Sequence, residues 1–165
     1  LLLTRPPPRS TLSDDRRQRQ MCIRDSVHTL PWWGAVIIVL VNMLGLYIFR
    51  AVNLQKHKFR GDPENARIWG KKAEYMQTAQ GGKLLLSGFW GWSRHFNYVG
   101  DILMALSWSL PCLFGSALPY FYPIYFAILL IHRERRDHSF CSRKYGADWD
   151  RYCERVRWRI IPGIY

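Results

Sequence analysis

Residues 31–49 read Pro-Trp-Trp-Gly-Ala-Val-Ile-Ile-Val-Leu-Val-Asn-Met-Leu-Gly-Leu-Tyr-Ile-Phe, nineteen residues without a charge. At ~1.5 Å per residue such a helix crosses the ~30 Å hydrocarbon core of a bilayer. The Trp pair at one end and Tyr47 near the other suit its two interfaces. A signal peptide is the competing reading, but the apolar core is long for one. Arg50, Lys56, Lys58 and Arg60 follow it where a small-residue cleavage site would stand. Those cations place that end of the helix in the cytosol.

Outward from this helix the charge is segregated. The chain has 165 residues and a formal net charge of +12, yet residues 27–49 and 102–132 carry no Lys, Arg, Asp or Glu. The second uncharged block is too short for two full spans and too long for one straight helix, and Pro111, Gly115, Pro119 and Pro123 break it. Basic sequence flanks it on both sides, so the positive-inside tendency makes it a membrane hairpin that turns near Phe114 to Leu118. Irregular backbone at membrane depth needs protein around it, so the hairpin is expected to pack against helices that this chain does not supply. The domain reading is a membrane helix over about 31–49, a cytosolic connector over 50–101, a membrane hairpin over 102–131 and a cytosolic helical tail over 132–165. Residues 1–26 change abruptly in character and lack periodicity. They read as a stretch not native to the protein, in front of a truncated frame. The alternative is a disordered basic arm for nucleic acid or anionic lipid, and no nucleic-acid partner is expected unless that arm is native.

Cys22, Cys112, Cys141 and Cys153 form no C-x-x-C and no zinc spacing, so free thiols and no metal site are expected. Neither a G-x-G-x-x-G nor a G-x-x-x-x-G-K-[ST] pattern occurs, which leaves any phosphate to side chains. Lys56 and Arg60 share one face if the first helix continues past the membrane, although cations there also serve as topology signals. His132 to Tyr145 reads as the extension of the last membrane helix, with Gly146 ending it and with Arg133, Asp137 and Cys141 on one face, followed by Tyr145 at the next turn. Asp137 reads either as a solvated ion-pair member or as an acid held beside a bound anion and an apolar substrate. A short helix is expected to start at an Asp148 cap, to carry Trp149, Tyr152, Cys153 and Val156, and to stop at Pro162-Gly163. Basic and aromatic groups thus converge from three segments, forming either a phosphorylated-cofactor pocket or a lipid-facing belt.

Three runs in order, SGFWGWSRHFNYVGD (87–101), LPYFYPIYFAILLIHRERRD (118–137) and SRKYGADWDRYCERVRWRIIPGIY (142–165), closely resemble the C-terminal region of the sterol reductases. That family takes in the Δ14- and Δ7-sterol (7-dehydrocholesterol) reductases and the sterol reductase part of the lamin B receptor. The isoprenylcysteine carboxyl methyltransferases share an Arg-His-x-x-Tyr-x-Gly pattern but are not expected to match the tail. The resemblance implies an all-α, polytopic membrane fold of about ten helices, of which this chain holds the C-terminal part. It implies NADPH as cofactor, a sterol as substrate, the bilayer and the missing N-terminal helices as partners, and reduction of a ring double bond. The endoplasmic reticulum membrane would be the location in a eukaryote, the cytoplasmic membrane in a bacterium.

By position, the family's cofactor residues fall on Lys56, Arg60, Leu85, Trp90, Asn97, Tyr98, Asp137, Cys141, Ser142, Arg143, Lys144, Tyr145 and Tyr152. Lys56, Arg60, Arg143 and Lys144 suit phosphates, and Trp90, Tyr98 and Tyr145 suit ring stacking. Asn97 and Tyr152 suit hydrogen bonds, Leu85 an apolar wall. Asp137 is the first candidate acid or acid-orienting group and Tyr145 the second. The glycines of 84–101 are expected to bring backbone close to the cofactor. Met104 to Cys112 looks like the Δ14 group, whereas Arg94 to Asp101, with Phe96, and the Pro-Gly-Ile-Tyr end look like the Δ7 group; the balance falls to Δ14. The rival reading is a catalytically inactive membrane scaffold of the lamin B receptor kind.

Overall fold

The computed structural model describes residues 30–115 and 117–165. Residues 1–26, Cys22 among them, lie outside the described residues. Helix α1 runs from Trp32 to Gly61, about 45 Å, so the uncharged stretch and the basic stretch after it form one rod. Among the described residues it is the one helix long and apolar enough to cross a membrane. Only 11% of its most apolar window is buried in the molecule, which separates it from the core helix of a water-soluble domain.

Two antiparallel hairpins follow: β1 (Arg67–Ile68) with β2 (Lys71–Lys72), and β3 (Tyr75–Gln77) with β4 (Lys83–Leu85). A single turn, α2 (Phe89–Trp92), leads into α3 (Asn97–Ser109). Short 3-10 helices, Leu110–Gly115 and Leu118–Tyr120, flank the expected turn, which overlaps Ser116, outside the described residues. Helix α4 (Phe121–Tyr145) ends at Gly146, and α5 (Ala147–Arg155) follows at once.

The described residues are therefore mostly helical, with two short hairpins that the all-α expectation did not include. The two hairpins go unseen in the sequence because strands of two or three residues are too short to show alternation. The long connector is in fact three pieces: the end of α1, the hairpins, and the segment up to Phe96, after which α3 begins five residues before Ile102. Asp148 is not a cap. Gly146, at φ +54°, both closes α4 and opens α5, and the Asp148 carboxylate accepts instead from the Ala79 N–H at 2.7 Å and from Arg151. Helix α5 ends at Arg155, well before Pro162.

The halves meet where α1 crosses α3. A Cβ on Gly100 would lie 2.6 Å from the Gly45 carbonyl oxygen, and one on Gly45 would lie 2.9 Å from that of Gly100. Small residues let the two backbones touch there. One turn toward the N-terminus of α1, Asn42 donates to Ser107 Oγ at 2.7 Å across the same interface. Below the crossing, Val52 and Phe59 of α1 join Ile68, Leu85 and Trp90 in a core, while Trp149, Tyr152 and Val156 pack against Met76, Leu84 and Leu86. The tail from Arg157 runs beside Ser93–His95: Arg94 N–H donates to Trp158 O at 3.1 Å and His95 N–H to Arg159 O at 2.9 Å.

Candidate functional site

The extension of α1 places Lys56 and Arg60 on its inner face, as their spacing requires. Helix α4 brings Asp137, Cys141 and Tyr145 to face them on successive turns, and β4, α2 and α5 close the ring with Leu85, Trp90 and Tyr152. These eight residues line one cavity of about 320 Å³. A second cavity of about 520 Å³ adjoins it toward the apolar helices, lined by Asn53, Asn97, Tyr98, Asp101 and Arg133. Lys56, Trp90, His95 and Asp137 belong to both walls, so the two spaces share a boundary. A larger cavity of about 580 Å³ lies on the outer face of α1, between Met43 and Trp69, and holds none of the anticipated site residues.

Ten of the thirteen anticipated residues therefore surround two adjoining cavities. Ser142, Arg143 and Lys144 do not line them. Arg143 and Lys144 are exposed, with Arg143 Nε donating to Ser139 O at 3.2 Å and the Lys144 ammonium 5.0 Å from the Tyr145 ring centre. The Ser142 carbonyl accepts the Gly146 N–H that ends α4.

Charge in the first cavity is one-sided. Lys56, Arg60, Lys83 and Arg94 stand against the single carboxylate of Asp137. Asp137 is half-buried and makes no ion pair among the described residues, unlike the solvated partner that the arginines around it suggested. Arg94 is 6% exposed, and its Nη1 donates to Cys153 Sγ at 2.8 Å and to His138 Nδ1 at 3.3 Å, with no carboxylate beside it. Its Nε is buried without a partner. His138 Nδ1 also accepts from Trp149 Nε1 at 3.1 Å; since both neighbours can only donate, the proton of His138 sits on Nε2. Burial pushes the Lys56 amine below its ordinary value, with Arg60 adding to the effect, and the Lys56 ammonium lies 4.4 Å from the Trp90 ring centre. Burial pushes the Cys141 thiol up, which keeps it protonated.

Several side chains are already engaged. Trp90 Nε1 donates to Val52 O at 3.0 Å, and its face is turned to Lys56. The Tyr152 hydroxyl donates to Leu85 O at 3.3 Å, and burial holds it protonated. Tyr98 stacks on His95, ring centres 4.9 Å apart and 14° from parallel. Asn97 lines the second cavity, and its Oδ1 is buried with no partner. The glycines of 84–101 each bring backbone close to other parts of the protein. A Cβ on Gly88 would meet the Gln55 side chain at 2.5 Å, and Gly100 serves the helix crossing, so the protein approaches itself there.

Sequence reasoning passed over Lys83, Arg94 and His95. The Arg-His pair stands in the 87–101 run that carries the family resemblance, and its signal was its position shortly before an uncharged segment. Lys83 carries no such mark, because only the β3–β4 hairpin brings it to the cavity.

The described residues thus combine one helix long and apolar enough to cross a membrane with a cavity, at that helix's polar end, lined by four cations and one carboxylate. The family model of the Ergosterol biosynthesis ERG4/ERG24 family matches residues 21–165, so the chain belongs to that family. It is 56% identical over 138 residues to a Delta(14)-sterol reductase of Methylotuvimicrobium alcaliphilum, covering 84% of this chain and 32% of that relative. It is 54% identical over 130 residues to that of Dictyostelium discoideum (79% and 28%) and 51% over 131 residues to Delta(14)-sterol reductase TM7SF2 of Mus musculus (79% and 31%). The chain thus spans about a third of the length of these relatives. The family match runs through the tail to Tyr165, the stretch that the methyltransferase resemblance leaves out.

Proposed function

We propose that the chain is part of a multi-pass membrane enzyme of sterol biosynthesis that reduces a ring double bond, that of Δ14, with NADPH. The observation that carries this reading is the first cavity, where four cations surround one unpaired carboxylate beside a second cavity that borders the apolar helices. The names of the relatives supply the substrate class and favour Δ14 over Δ7.

The residues present fit the cofactor. Lys56 and Arg60 would take its phosphates by charge-assisted hydrogen bonds, with Arg94 adding positive field from beneath and Arg143 and Lys144 acting at the rim. Asn97 Oδ1 would accept from an amide N–H, Tyr145 would edge a ring, and Leu85 and Cys141 would form an apolar wall. NADPH supplies a hydride when bound. The other hydrogen of the new C–H pair must then arrive as a proton on the neighbouring alkene carbon, leaving positive charge on the sterol until the hydride reaches it. Asp137 is the acid, or orients it, because it lines both cavities. Tyr145 lines only the first, near the β3–β4 turn, and is the weaker candidate. The enzyme would reside in the endoplasmic reticulum membrane of a eukaryote or the cytoplasmic membrane of a bacterium, with the polar half in the cytosol and upstream helices around the apolar one.

The test incubates membranes holding the full-length protein with NADPH and either a Δ8,14- or a Δ5,7-sterol diene, with products identified by mass. Saturation of the 14-position is the expected result. Exclusive reduction of the Δ7 bond corrects the substrate, and failure to bind NADPH or turn over either diene leaves the inactive scaffold. Asp137→Ala should insert normally yet lower turnover by at least about 100-fold; normal turnover would remove Asp137 from the mechanism.

A further inference from the structure

We propose that His95 is a binding residue of this site, hydrogen-bonding an uncharged hydroxyl or carboxamide group of the dinucleotide where the two cavities meet. The inference rests on the reading above that the cavities hold NADPH.

The placement of the ring is fixed from several sides. His95 N–H donates to Arg159 O at 2.9 Å, and His95 O accepts the Tyr98 N–H at 3.0 Å. Its ring lies on that of Tyr98, itself 5% exposed. It forms part of the boundary between the cavities, with Lys56, Trp90 and Asp137. Among the described residues, neither ring nitrogen has a hydrogen-bond partner. Because neither nitrogen is among the buried unpartnered atoms, both are open to the cavities that the ring lines, and a bound group there can meet them without displacing a protein partner.

The chemistry of the surroundings selects the partner. Lys56 and Arg94 stand beside the ring on the side of the first cavity and Arg133 on that of the second, and burial holds the imidazole neutral, its pKa lowered to about 4. A neutral imidazole presents one donor and one acceptor. A phosphate only accepts, and stronger cationic donors lie beside it. A hydroxyl or a carboxamide both donates and accepts, and so can use both faces of the ring. The Asn97 carboxamide in the adjoining wall adds a second group of the same uncharged kind.

The full-length enzyme, purified in detergent, should be titrated with NADPH and with NADH, following quenching of protein fluorescence. His95→Phe keeps an aromatic ring on Tyr98 and removes both hydrogen-bonding atoms; His95→Gln keeps a donor and an acceptor and removes the ring. The expected result is an NADPH affinity about tenfold weaker in His95→Phe, with the preference for NADPH over NADH unchanged, and within about threefold of the parent in His95→Gln. Parent-like affinity in His95→Phe overturns the proposal, because water then satisfies the ring. Equal weakening in both variants, with a lowered Tm, also overturns it and makes the ring a packing element. A parent enzyme that binds no NADPH is a separate failure, that of the cofactor reading itself.

Discussion

Helix α1 is one continuous rod, yet its two ends live in different surroundings. Trp32, Leu40 and Tyr47 are 79%, 61% and 65% exposed, whereas Val52 and Phe59, one to three turns further on, are 0% and 3% exposed. Water does not select the first pattern, since large apolar side chains left in it forfeit about 1.5–3 kcal/mol each. An apolar environment, such as the bilayer proposed above, would. The polar end makes its own core from α1, the hairpins, α2 and α5, and gathers Lys56, Arg60, Lys83, Arg94 and Asp137 round one cavity. The apolar end thus bears on the proposed location and the polar end on the proposed chemistry. The two are held together by the α1–α3 crossing and by α4, and those seams are where the comparison can be broken.

The largest effect is expected at Glu134 of α4, 1% exposed, whose Oε2 accepts from Arg159 Nη1 at 3.2 Å and from the Tyr165 hydroxyl at 3.4 Å. This clasp fixes the tail that in turn holds Ser93–His95. Glu134→Ala removes the buried member of this pair, whose Arg159 partner is 33% exposed, and should destabilise the protein by about 2 kcal/mol, read as a lowered Tm in detergent. The proposed cofactor site should loosen with it. If the Tm is unmoved, the tail is not held by this pair and the seam lies elsewhere.

The helix crossing comes next, at similar size. Gly100→Val forces α3 off the Gly45 carbonyl and the Phe49 backbone and should cost about 2 kcal/mol. Because Asn97 and Tyr98 begin the same helix, the second cavity should lose shape while the first keeps its cations. Unfolding temperature and NADPH affinity measured on the same sample would separate these two consequences. A variant with parent-like stability would show that the helices stand further apart than the glycines imply.

The pH dependence of stability sharpens the contrast from the other side, since the described residues of the apolar stretch in α1 contain nothing that titrates near neutrality. His95 has its folded pKa lowered by burial to about 4 against about 6.5 unfolded, with Asp137, Lys56, Arg94 and Arg133 around it. The unfolded chain therefore binds the proton first as pH falls. The stability present above pH 6.5 drains away toward pH 4, by about 1.5 kcal/mol between pH 6.5 and 5. His138, lowered chiefly by burial, adds to the same slope. Denaturant midpoints across this range should fall with pH, and His95→Gln should flatten part of the curve. An unchanged slope in that variant would mean that His95 is not buried neutral.

How much of this was legible in the sequence follows the same division. The uncharged run of α1 and the i, i+4 spacing of Lys56 with Arg60 were readable, because helical periodicity is a local property. So were Asp137, Cys141 and Tyr145 on one face, and Gly146 as a helix end. The hairpins were not, since strands as short as Arg67–Ile68 carry no pattern. Gly88 and Gly100 were read toward a ligand, because a sequence shows that a backbone must come close to something but not to what. Arg94 looked like one cation among many; that it is buried beside Cys153 and His138, with no acid, is a fact of three segments meeting.

The smallest effect is expected where the polar half touches water. Lys83 Nζ lies 3.3 Å from Glu64 Oε1, and the Glu64 side chain is 73% exposed, so the pair is screened and contributes little. Glu64→Gln should shift stability by less than about 0.5 kcal/mol. Lys83 also lines the first cavity and lies 5.1 Å from the Tyr75 ring centre, which keeps its stem in place without the carboxylate. Releasing its charge toward the cavity should therefore tighten NADPH by about twofold at low salt, and the gain should vanish near 1 M salt, where screening reaches ~3 Å. A loss of affinity instead would mean that Glu64 holds Lys83 in the position the cofactor needs, and the rim would then belong to the site as firmly as the buried wall does.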